Sequence, residues 1–77
     1  MNVTHFTPIH ESNLVKGETY FCKTKWGEGF VSILAITMQG TEVQIVDGGF
    51  TPPLKKYGKG DSMLVPNDTG KFYESKS

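Results

Sequence analysis

What most constrains this chain is a missing pattern. No window of roughly twelve residues repeats its apolar side chains at the spacing of a helix face. Instead, nine glycines and four prolines cut the sequence into short runs with strand character. Residues 19–25 alternate: Tyr20, Cys22 and Thr24 share one face, and Phe21, Lys23 and Lys25 share the other. Trp26-Gly27-Glu28-Gly29 reads as a turn. Residues 30–38 are apolar on both faces, which predicts a central strand or one bent enough to serve two sheets. Gln39-Gly40 suits a two-residue hairpin turn. Residues 42–47 form the next strand, with Val43 and Ile45 on one face, and Gly48-Gly49 end it.

Pro52 and Pro53 bar their segment from a sheet interior, since neither carries an N–H for the ladder. Residues 54–60 read as one short helical turn capped by Gly58. Residues 61–65 form a strand stopped by Pro66. Residues 67–70 turn, and residues 71–73 add a last edge strand. Pro8 breaks both periods near the start, so residues 1–13 read as an N-terminal arm whose Phe6 and Ile9 are placed to dock on the core. Residues 14–73 are the single β domain, and residues 74–77 are expected to fray. The resulting expectation is all-β: a small antiparallel, strongly bent sheet or SH3-like barrel of four to five strands, since rolling a sheet up hides its edges.

A chain of 77 residues makes one small domain. A domain of that size buries only about 60% of the surface its unfolded chain exposes, so its core is a single layer with no deep cleft. Eight lysines balance eight acidic residues, and arginine is absent. A duplex binder shows a basic surplus and uses arginine for bidentate contacts, so composition argues against nucleic acid as the main partner. The lysine-for-arginine bias also matches an AT-rich coding sequence.

Cys22 has no second cysteine to pair with, which favours a reducing, cytoplasmic setting. Residues 1–13 lack a basic stretch followed by an apolar core, so no signal peptide is expected. No apolar run is long enough for a membrane helix. The Asn-x-Thr triplets at Asn2 and Asn67 read as chance.

Catalytic and metal chemistries find little support in the motifs. Gly60-Asp61-Ser62-Met63 lacks the strand–turn–helix setting of a serine nucleophile. Asp68-Thr69-Gly70 follows Pro66-Asn67 rather than an apolar strand, so it reads as a turn and not as half of a carboxylate dyad. Gly27-x-Gly29 precedes no helix that would hold a phosphate. His5, His10 and Cys22 fall short of the four spaced ligands of a structural zinc site. The expectation is no enzyme, no cofactor and no metal.

Residues 14–20 (LVKGETY) open with a hydrophobic-x-Gly-acid turn. Trp26 closes the first strand, residues 29–34 (GFVSIL) begin the second, residues 43–50 (VQIVDGGF) make the third, and residues 61–66 (DSMLVP) make the last. Over residues 14–66 this order of features resembles the Tudor domain, one of the SH3-like small barrels. The likeness implies an aromatic cage for a methylated arginine or lysine, held by cation–π attraction. Trp26 matches the first cage aromatic, and Phe30 is near the second. The third position falls near Val46 and the fourth near Gly49, with Phe50 one residue on. The asparagine that closes such cages falls near Thr51. The cage implied for this chain is therefore incomplete.

Trp26 sets the functional expectation. A tryptophan beside glycines at a turn is either a lid on the core or a binding anchor, since tryptophan and tyrosine dominate interface hot spots. The expected site is Trp26 with Phe30, Phe50 and Tyr57 around it, and Glu28 and Asp47 as its polar rim; the competing reading of residues 50–53 is a loop that packs Phe50 under the barrel, with its prolines for stiffness. The cluster Lys55-Lys56-Tyr57-Gly58-Lys59 reads as a solvated face. The expected function is that of a non-catalytic binding module whose partner is another protein. Compact neutral modules of this kind serve as accessory or inhibitory proteins in phage and bacteria. Two alternatives stand beside it: a nucleic-acid-binding small barrel, and a small-molecule or nucleotide binder with its pocket at a dimer interface. A homo-oligomer is compatible with each.

Overall fold

The computed structural model describes residues 5–76, and side chains within residues 7–74. Six strands run in chain order: β1 (His5–Ile9), β2 (Thr19–Thr24), β3 (Gly27–Ile36), β4 (Gly40–Phe50), β5 (Ser62–Pro66) and β6 (Gly70–Lys76). They form one antiparallel sheet in the order β1-β6-β2-β3-β4-β5. The all-β expectation holds, with six strands rather than four or five. The sheet is open, with β1 and β5 at its edges among the described residues.

The extra strand comes from the segment read as an arm. Pro8 stops a central strand but not an edge one, and β1 pairs only with β6. Conversely, β6 is not an edge strand. It lies between β1 and β2 and runs on to Lys76, where fraying was expected. The only helical element among the described residues is a 3₁₀ turn, Glu11–Asn13. In place of the helical turn expected over residues 54–60 there is a loop with turns at residues 53–54 and 59–60, tied back by a bridge between Tyr57 and Phe50. No helix among the described residues is long and apolar enough to cross a membrane.

The sheet buries one face. Tyr20 and Cys22 of β2, Val31 and Ile33 of β3, Val43 and Ile45 of β4, Met63 and Val65 of β5 and Phe72 of β6 form the core, with Leu14 and Phe50. Along β2 the alternation of buried and open residues is the period of two read from the sequence. Two register shifts bend the central pair: Val46 is extra in β4 between Phe30 and Val31, and Leu34 is extra in β3 between Ile33 and Ala35. Such bulges raise the local twist and curl a sheet over its core.

The turns differ from the sequence reading in detail. Thr24 pairs with Gly27, so the β2–β3 turn is Lys25-Trp26 alone. Gly27 and Gly29 already lie in β3, and Gly48 and Gly49 prolong β4 instead of ending it. Gly29 faces Gly48 across the ladder, and a methyl group on Gly29 would run into the Asp47 carbonyl. Glycine is the residue that lets these two strands approach so closely. At the other end, Gln39-Gly40 is not a two-residue turn. Thr37, Met38 and Gln39 form the loop, and the Thr37 hydroxyl accepts from the Gly40 N–H at 3.2 Å.

Candidate functional site

The expected site residues divide between the two faces of the sheet. Trp26 belongs to the core side. It is half-buried at the β2–β3 turn and packs against the core, as Tyr57 does. Its N–H donates to the Thr24 hydroxyl at 3.0 Å. Its carbonyl accepts from the Thr51 N–H at 2.8 Å, which pins the loop after β4 beneath the turn. Lys25 Nζ stands 5.6 Å from the Trp26 ring and Lys55 Nζ 5.1 Å from the Tyr57 ring, within cation–π range. Phe50 is 0% exposed. It cannot touch a partner, so its expected place in a surface site is corrected to a core anchor under Trp26 and Tyr57. A small domain needs such an anchor to hold a loop that carries two prolines.

Phe30, Glu28 and Asp47 belong to the opposite face. Val31 points into the core, and alternation turns Phe30 and Glu28 outward. Asp47 stands directly across the ladder from Phe30. An aromatic cage drawn from Trp26, Phe30 and Phe50 is therefore not assembled: one ring lies against the core side, one on the outer face, and one in the interior.

The outer face holds a grouping that the sequence reading did not find. Phe21 of β2 pairs with Phe30 of β3 on one side and with Tyr73 of β6 on the other. The rings of Phe21 and Phe30 meet edge to face, centroids 5.4 Å apart, and those of Phe21 and Tyr73 lie 6.0 Å apart. All three are half-buried. The register extends the row to Pro8 beyond Tyr73 and to Asp47 beyond Phe30. One step along the strands runs a parallel polar row in which Lys23 stands opposite both Lys71 and Glu28.

The signal for this row was present only in part. Alternation puts Phe21 on one face with Lys23, without saying which face is outer, and Tyr73 enters from the far end of the chain. No local pattern announces that β6 inserts beside β2. A groove of about 450 Å³, lined in part by Pro8, Lys71 and Tyr73, continues from the row toward β1.

The residues of the motifs weighed in the sequence have plain placements. Cys22 is 0% exposed, and burial pushes its thiol up to about 12. A thiol held neutral in this way is no nucleophile at physiological pH. Asp68 takes a positive φ of 64° in the turn between β5 and β6, where its N–H donates to the Glu11 carboxylate. Asp61 accepts from the Gly58 N–H at 2.8 Å, closing the loop before β5. Among the described residues, no three His, Cys, Asp or Glu side chains converge as a metal-binding group.

Comparison with known proteins found no matching family model, no matching curated protein and no matching solved structure.

Proposed function

We propose that this chain is a non-catalytic protein-binding module on an SH3-like small barrel, and that its contact surface is the outer-face row Phe30–Phe21–Tyr73. The row itself carries the reading: three half-buried rings, one on each of three neighbouring strands, on the face away from the core. Aromatic side chains supply large, rigid contact area, and they are enriched where binding energy concentrates. The rim supports a protein partner over a phosphate backbone. Glu28 and Asp47 stand at one end of the row, and Lys23 and Lys71 alongside it. A surface of mixed sign complements mixed-sign side chains and gives no uniform field to hold phosphates.

The strand order supports the barrel. β2 to β5 form a meander of neighbouring strands, and β6 returns to the free side of β2. That order is the meander and return of a small five-stranded barrel, with β1 added on the far side of β6 and the outer edge of β5 unpaired among the described residues. Trp26, on this reading, stiffens the β2–β3 turn from the core side and contributes its open edge as a secondary contact.

A second reading has one observation behind it. Lys23 faces Lys71 beside the aromatic row, which is the pairing of cation and ring used to hold single-stranded nucleic acid.

The test is affinity capture from the source cell's lysate, with and without nuclease, using wild type, Phe30→Ser, Tyr73→Ser and Trp26→Ala, each shown to be folded by circular dichroism. The module reading expects one protein, retained after nuclease and lost with Phe30→Ser and with Tyr73→Ser. A hot-spot ring is worth about 2 kcal/mol, or roughly 30-fold in affinity. Retention by both outer-face variants with loss in Trp26→Ala would move the site to the turn. Capture that vanishes with nuclease would establish the nucleic-acid reading instead.

A further inference from the structure

The two sheet edges are guarded unequally. β1 carries Pro8 within it, a residue common on protected edges. β5 reads Ser-Met-Leu-Val-Pro and has no charged side chain. Its backbone directions follow from its partner. Asp61 C=O accepts from the Ile45 N–H at 2.8 Å before β5 begins, and Asn67 N–H donates to the Gln39 C=O at 3.1 Å after it ends. An antiparallel ladder alternates, so Met63 and Val65 turn their N–H and C=O toward β4. Ser62 and Leu64 turn theirs outward. Pro66 has no N–H, and its C=O already accepts from the Thr69 N–H at 3.2 Å and from the Thr69 hydroxyl at 2.6 Å. The outward edge of β5 therefore offers the N–H and C=O of Ser62 and of Leu64.

We infer that a second copy of this chain pairs with β5 through its own β5, antiparallel about a twofold axis at Met63. In that register Ser62 of one copy faces Leu64 of the other. Every outward N–H of one strand meets an outward C=O of its mate, and none is left over. A register with Leu64 facing Leu64 would set Ser62 against Pro66, whose N–H is missing and whose C=O is occupied. The complementarity is thus that of β5 for itself, which is the requirement of an isologous dimer. The strand carries no charge to repel its copy. Leu64, 38% exposed, lines a groove of about 240 Å³ beside the strand together with Leu34, Glu42, Ser62 and Met63, and the added strand sets Ser62 of the second copy beside it. The outer aromatic row spans β6, β2 and β3, so this edge is a separate surface.

Sedimentation velocity from micromolar concentrations to about 1 mM tests the inference. Two variants accompany wild type. Leu64→Pro deletes one outward N–H while leaving the bonds to β4, and Leu64→Lys places a charge at the edge. Circular dichroism and thermal midpoints establish that each is folded. Wild type is expected to pass from monomer to dimer with rising concentration, and to stop at the dimer because the twofold closes. Leu64→Lys, and Leu64→Pro where it folds, should weaken the dimer at least tenfold. A wild type that remains monomeric throughout overturns the inference. So does a dimer that Leu64→Lys leaves unchanged, or assembly that continues past two copies.

Discussion

Cys22 shows how one buried residue sets a measurable property of the whole domain. Its thiol is enclosed in the core, and desolvation raises it from 9.0 to about 12. Below pH 9.0 the proton is bound in both the folded and the unfolded chain. Between 9.0 and about 12 the unfolded chain releases it and the folded chain keeps it. Stability is therefore lost as pH rises through that window, at up to about 1.4 kcal/mol per pH unit. Denaturant unfolding of wild type and Cys22→Ala at pH 8 and pH 10.5 reads this directly. The wild type should lose more stability than the variant over that interval, and equal losses would contradict the burial account. The face Cys22 shares with Tyr20 was legible in the sequence, because a period-two pattern needs only neighbours; that this face is the buried one was not. Phe50 was legible in part: one reading of its proline-bearing loop packed it under the sheet, as its burial shows, while the bridge to Tyr57 that folds the loop back was not encoded by residue types within the loop.

At the scale of elements, the glycines mark where reading by punctuation fails. Gly48-Gly49 look like a strand end, yet β4 runs through them to Phe50, because Gly29 on β3 faces Gly48 with a matching absence of side chain and Glu28 and Gly27 carry the pairing on to Gly49 and Phe50. Gly48 holds φ at 94°, and a methyl group there would meet the Glu28 carbonyl and the Gly29 backbone. Gly48→Ala and Gly29→Ala should each destabilise the fold by about 1–3 kcal/mol, the cost of forcing atoms into a packed site. Gly58→Ala serves as the control, since nothing lies within 4 Å of its added methyl. Thermal unfolding of the three variants checks the contrast, and a Gly58→Ala change as large as the others would refute it. Each of the strands read between residues 19 and 73 is present within a few residues of its expected limits. Short alternating runs are local facts. Their ends are set by partners elsewhere in the chain, which is why β3 begins earlier and β4 ends later than the sequence indicates.

At the scale of the molecule, the account rests on strand order. The insertion of β6 between β1 and β2 puts Tyr73 beside Phe21, so the outer row exists only in the assembled sheet. The sequence could suggest Trp26 as an anchor because Trp26 stands out in isolation. It could not suggest Phe30–Phe21–Tyr73, because that site is a property of register between strands from opposite ends of the chain. The same insertion makes a strand of residues 5–9, where Pro8 had argued for an arm. The most direct measurement of the central claim is nuclear magnetic resonance mapping of the captured partner onto the isotope-labelled chain, following the aromatic signals of Phe21, Phe30 and Tyr73 beside the Trp26 indole. The account predicts that the partner shifts the three outer-face rings most, with the Trp26 indole and the core signals of Phe50 and Phe72 far less affected. Shifts centred on Trp26 and Tyr57, with the outer-face rings unmoved, would contradict it.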